Sequence, residues 1–115
     1  MRLNLSIKTI CSIIGAALID PAETSSKFSI QNIVIDSRSP HINSNTLFVL
    51  FNGNKTKGEK YVPQFQEKGG HIVLTADKLD RNDLVQLVVE SPLRALQAIA
   101  KYHREQFNIP VIGIT

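Results

Sequence analysis

Leu47-Phe48-Val49-Leu50-Phe51 is an unbroken apolar run of strand length with polar residues on both sides. A strand that does not alternate with polar residues has both faces covered, which is the situation of a parallel strand in a sheet flanked by helices. His71-Ile72-Val73-Leu74-Thr75 and the stretch from Leu84 to Val89 have nearly the same character. Ile30, Ile33 and Ile35 belong to a further β-branched run that ends at Asp36. Three or more such strands cannot stand without helices to cover them.

The helices are legible in the intervening segments. Ser6 is an N-cap candidate, Ile7, Ile10, Cys11 and Ile14 follow at helical spacing, and Gly15 supplies the stop. Asp20 to Lys27 is polar and reads as a loop. Tyr61 to Lys68 reads as a short helix with Val62 and Phe65 inward and Gly69-Gly70 as its end. Ser91-Pro92 opens the last helix, with Ser as the cap and Pro at the first helical position. Leu93, Leu96, Ile99, Ala100, His103 and Phe107 form its apolar stripe, and Asn108 followed by Pro110 predicts its stop. Ile109 to Thr115 then reads as one more buried strand. The predicted order is helix, strand, strand, helix, strand, strand, helix, strand. That alternation predicts an α/β fold, a small mixed or mostly parallel sheet flanked by helices.

At 115 residues the chain forms one domain and can bury a core without staples. Its single cysteine, Cys11, excludes an internal disulfide and fits a reducing, cytoplasmic compartment. No apolar run approaches the ~20 residues that span a bilayer, so no membrane partner is expected. The net charge of +3 and the scarcity of aromatic residues argue against a nucleic-acid platform. His41, His71 and His103 share no metal-ligand spacing with one another or with Cys11, so no metal site is expected. No Ser-His-Asp grouping can be argued, and no catalytic residue is assigned.

The most informative residues sit in two loops. Asp36-Ser37-Arg38 ends one strand, and Gly53-Asn54-Lys55-Thr56-Lys57-Gly58 follows the next. If those strands are neighbours running in the same sense, both loops reach the rim where ligands bind in open α/β sheets. Ser37 offers a hydroxyl, Arg38 a fork of donors and Asn54 an amide, which suit a nucleotide's base edge and phosphates. Spacing alone equally allows a capped turn beside a solvated lysine loop, and Lys55, Lys57, Lys60 and Lys68 equally allow a charged outer face.

These residues resemble a family. Asp36-Ser37-Arg38, then Thr46-Leu47-Phe48-Val49-Leu50, then Gly53 to Gly58 and Tyr61, is similar to the D-S-R, L-F-V-A and G-plus-polar-loop pattern of the Mur ligases. These enzymes build the peptide stem of bacterial cell-wall precursors. Gly69-Gly70-His71-Ile72-Val73-Leu74 resembles the family's next strand. The match is closest from Ala95 to Arg104 and on through Ile109-Pro110-Val111-Ile112-Gly113-Ile114-Thr115. That run resembles the approach to the family's G-x-N-G-K-T phosphate loop. Within the family the D-alanyl-D-alanine-adding branch is the most similar, including its form fused to an alanine racemase.

The resemblance implies a fold like the Mur ligase N-terminal domain over residues 1–108, with 109–115 as the first strand of a central ATP-binding domain. It implies that the domain anchors the uridine diphosphate end of UDP-N-acetylmuramoyl-tripeptide. Carried over by position, Ser37 would lie at the uridine-diphosphate site and Arg38 would support its loop, while Asn54, Lys55 and Thr56 would contact the uracil. The partners implied are that nucleotide-linked peptide and the central and C-terminal domains of the same polypeptide. The chain contains no G-K-T or G-K-S, so it would hold no cofactor and be inactive alone. ATP and magnesium would belong to the rest of an amide-forming ligase, and pyridoxal phosphate only to a fused racemase. One departure stands in the second loop, where Lys57-Gly58-Glu59 replaces the Asp-Gly-His common among relatives. The alternative is a free-standing basic α/β module that binds a nucleotide or nucleic acid through its lysines.

Overall fold

The computed structural model describes residues 2–21, 23, 27–51 and 55–114. The elements are β1 (Arg2–Ser6), α1 (Ile7–Ile14), β2 (Ala17–Ile19), β3 (Ser29–Val34), β4 (Thr46–Val49), α2 (Lys55–Glu67), β5 (Ile72–Thr75), β6 (Val85–Val88) and α3 (Pro92–Ile114). Among the described residues the strands form one six-stranded sheet in the order β1-β3-β4-β5-β6-β2. The four central strands are mutually parallel, and β1 and β2 close the two edges in the antiparallel sense.

Burial explains the central strands. Every residue of β4 and β5 is buried, and their side chains divide between two cores. Leu47, Val49, Ile72, Leu74, Val85 and Leu87 face α1 and α3, joined by Ile7, Ile10, Ala95 and Ile99. Phe48, Leu50, Val73 and Leu84 face the opposite side, where Val62 and Phe65 of α2 meet them. The connector after β5 adds Leu79 to this second core, and the connector before β4 adds Ile42.

The capping chemistry is as expected at α1. Ser6 Oγ accepts the Thr9 N–H at 3.1 Å, and Gly15 ends the helix in the left-handed region at φ 65°. At the end of α2, Gly70 answers a different need. Its N–H donates to the Phe65 carbonyl, and a Cβ there would fall onto the Phe65 ring. Gly70→Ala must therefore displace a fully buried ring. It is expected to cost about 1–3 kcal/mol, the range for overpacked cores, read as a lower urea midpoint at unchanged slope.

Three features depart from the sequence-based expectation. The edge strands β1 and β2 were not anticipated, because the first is five residues and the second three, too short for a periodic signal to stand out. Helix α2 begins at Lys55 rather than Tyr61. Pro63 thus lies inside it and gives no hydrogen bond to the turn before. Residues 109–114 continue α3 instead of forming a strand. A strand needs a neighbour for its backbone groups, and the sheet of the described residues pairs none with this segment, so the local helical ladder satisfies them.

Candidate functional site

Because β3 and β4 are parallel, with Val34 beside Phe48, the turn after β3 and the segment after β4 leave the sheet at the same rim. The turn is built by Asp36. Its carbonyl accepts the Ser39 N–H at 3.1 Å, and its carboxylate accepts the Arg38 N–H at 2.8 Å, the local side-chain bond that makes Asp a turn residue. The Arg38 guanidinium folds back onto the same carboxylate through Nε and Nη2, the latter at 2.9 Å. These side-chain and backbone donors hold the Asp36 carboxyl down at about 2, below its ordinary 3.8.

Ser37, between them, points inward. It is only 3% exposed, and its hydroxyl donates to Gln64 Oε1 of α2 at 2.9 Å. Lys68 Nζ donates to the Ser39 carbonyl at 3.1 Å, so the turn is tied both to α2 and to the residue that follows it. Between turn and helix lies a cavity of about 340 Å³, lined by residues 35–38, Phe48, Tyr61 and Gln64. Ile35 and Tyr61 leave apolar surface open beside it, 62% and 43% exposed.

A larger hollow of about 660 Å³ lies under residues 39–43 against β3. Its polar groups already serve one another. Asn32 Nδ2 donates to the His41 carbonyl, Thr46 Oγ1 donates to Asn32 Oδ1, and the Asn43 N–H donates to Thr46 Oγ1. A ligand there would have to break a satisfied network, so the smaller cavity is the candidate site.

The structure thus brings Ser37 and Arg38 to one cavity with Tyr61 and Gln64 of α2. Asn54 lies outside the described residues. Lys55 and Thr56 open α2 instead of extending a loop, and their side chains lie outside the described part. Tyr61 and Gln64 were missed as site residues. Their signal was available, since positions 61, 64 and 68 share one helical face three and four residues apart. Among the described residues no group of three or more His, Cys, Asp or Glu could hold a metal ion, and no helix is long and apolar enough to cross a membrane.

The acid titration has a definite sign. Asp36 and Asp83 both have folded values of about 2, the second lowered by hydrogen bonds from Arg81 and Gln66. Both values lie below the unfolded one, so these groups favour the folded state above about pH 4 and lose that effect as pH falls from there towards 2. Both are exposed, so the loss is small. Carboxyl-carbon NMR should place both midpoints near 2, and Arg38→Ala should return Asp36 towards its ordinary value while leaving Asp83 in place.

Comparison with known proteins bears on the whole chain. It is 32% identical over 117 aligned positions, covering all of its length, to the UDP-N-acetylmuramoyl-tripeptide–D-alanyl-D-alanine ligase of Synechocystis sp.. The chain spans 25% of that relative's length. Two crystal structures of MurF from Acinetobacter baumannii share its fold, with TM-scores of 0.69 and 0.73 at 23% and 22% identity. Each superposition covers 91% of this chain and 22% of the other. No family model matches the chain. The expected resemblance to a Mur ligase of the D-alanyl-D-alanine-adding kind is therefore found in both sequence and fold.

Proposed function

We propose that this chain is the N-terminal domain of a MurF-type Mur ligase, and that it anchors the uridine diphosphate end of UDP-N-acetylmuramoyl-tripeptide. The observation that carries the reading is the convergence of the Asp36–Arg38 turn and α2 on one rim of parallel strands, beside a cavity of ligand-binding size. The similarity along the full chain supports it.

In this reading the domain grips the substrate far from the bond being made. Binding energy gained at the nucleotide orients the distant carboxylate, which helps the reaction even though no reacting atom touches these residues. Amide formation, ATP and magnesium belong to the rest of the parent polypeptide, which works in the cytoplasm. The present chain has no phosphate-loop lysine with which to hold ATP. Pyridoxal phosphate would enter only with a fused racemase.

In this reading Ser37 and Arg38 belong to the site, and Tyr61 and Gln64, which line the same cavity, are added as its walls. Asn54, Lys55 and Thr56 are proposed to complete the site. Affinity of the isolated domain for UDP should be weak, with a dissociation constant on the order of 0.1–1 mM, because the parent's other domains supply further contacts. Ser37→Ala should weaken binding by about 1 kcal/mol, the usual worth of one hydrogen bond. An amide NMR titration with UDP tests both. Shifts confined to residues remote from the turn and from α2, or none at millimolar UDP, would sink the reading.

A further inference from the structure

We propose that two copies of this chain pair by exchanging residues 2–19, so that β1, α1 and β2 of each copy seat on the sheet of the other. This pairing does not depend on the nucleotide reading. β1 pairs with β3 and β2 with β6, at opposite margins of the sheet, and α1 packs on α3. Leu3, Ile7 and Ile10 are buried in one core with Leu47, Ile72, Leu87 and Ile99, all of them outside the segment. What holds residues 2–19 in place is therefore a surface of the remaining chain, and a second copy carries the same surface.

A single connector, residues 20–28, joins the segment to the rest. It leads from β2 to β3, and β4, β5 and β6 lie between those two in the sheet. Four strand spacings make that crossing about 19 Å. The chain from Ile19 to Ser29 reaches at most about 35 Å when extended, so it has slack enough to leave the sheet for a neighbour. Its far end is fixed, because the Phe28 ring stacks on His71 with centroids 5.3 Å apart. Before that point Glu23 holds φ at 52°, in the left-handed region that a residue with a side chain rarely adopts. Its N–H donates to the Asp20 carbonyl at 3.1 Å and closes the turn. Straightening the connector gives up that bond and relieves the strain, while the contacts of residues 2–19 are recovered on the neighbour. Concentration then decides between the two forms. A flexible tether of this length presents the segment to its own sheet at an effective concentration in the millimolar range, so exchange sets in as the protein approaches about 1 mM.

Cross-linking between unlike chains tests the exchange. Ala17 lies opposite Val88 across the β2–β6 pair. One chain carries Ala17→Cys and another Val88→Cys, both with Cys11→Ser, and the two are unfolded together, refolded at about 1 mM and oxidised. A disulfide between unlike chains should form in folded dimers. Its yield should fall about tenfold or more when refolding takes place at about 10 μM, and it should be absent when the chains are refolded apart and then mixed. No such disulfide at about 1 mM, or an equal yield from chains refolded apart, would overturn the exchange. A second variant shortens the connector. Without residues 22–27 the path from Ile19 to Ser29 reaches only about 14 Å, short of the crossing it must make in a monomer. Sedimentation should find this variant dimeric at about 10 μM, where the unaltered chain is monomeric. A folded monomer of the shortened chain would also overturn the exchange, and if that chain does not fold, the disulfide between unlike chains decides alone.

Discussion

Truncating Phe65 to alanine is expected to lower the stability of the domain by about 3–5 kcal/mol, the range for deleting a buried aromatic ring. Phe65 is fully buried, and its ring meets Phe48 of β4 with centroids 5.0 Å apart. It also occupies the space that Gly70 leaves open. Among the described side chains of α2, Val62 is the other buried apolar one, so the cavity left behind cannot be filled from them. Chemical denaturation measures the loss. A coupled outcome checks the cause, because Gly70→Ala should lose most of its own penalty once the ring is gone. Equal penalties in both backgrounds would show that the ring and the glycine do not share that space.

The second large effect is expected from Gln86→Leu. Gln86 is a wholly buried polar residue in the middle of β6. Its Oε1 accepts the Leu79 N–H at 2.7 Å, and its Nε2 donates to the carbonyls of Leu79 at 3.0 Å and Arg81 at 3.3 Å. One side chain therefore satisfies two backbone groups of a single residue in the β5–β6 connector. Leucine would leave the Leu79 N–H buried without its partner, while the Leu79 carbonyl keeps the Arg81 N–H at 2.9 Å, so a loss of about 1–3 kcal/mol is expected. Hydrogen exchange at Leu79 should rise together with the drop in denaturation midpoint. A loss below about 1 kcal/mol would mean that the connector finds substitute partners, as the Arg81–Asp83 and Gln66–Asp83 bonds at its far end could allow.

The contrast between legible and illegible parts follows from the range over which each is decided. Leu47 to Phe51 announced a buried strand because burial on both faces leaves a mark in consecutive residues. Ser6 and Gly15 announced the ends of α1 because capping is settled within one turn. Gln86 gave no such sign. Within Leu84 to Val89 it looks like a single polar interruption, and its reason lies seven residues away at Leu79. The same holds at the candidate site. Asp36-Ser37-Arg38 stood out as turn chemistry, whereas Gln64 became visible only when α2 was laid beside the turn. Residues 109–114 show the reverse case. Their β-branched composition argued for a strand, but composition cannot supply the neighbouring strand that such a segment requires.

The position of the two edge strands has a consequence for how the chain assembles. Residues 2–19 provide both outer strands of the sheet, with β1 beside β3 at one margin and β2 beside β6 at the other. Residues 2–19 are made before the other strands of this sheet and are thus the last to find all their partners. β2 has nothing to pair with until Val85–Val88 has been made, and α1 must wait for α3, against which it packs. Long-range pairing of this kind slows folding and leaves strand edges open in the meantime. During synthesis the domain is therefore not a growing sheet but a clasp, open at its N-terminal arm until almost the whole of it has emerged.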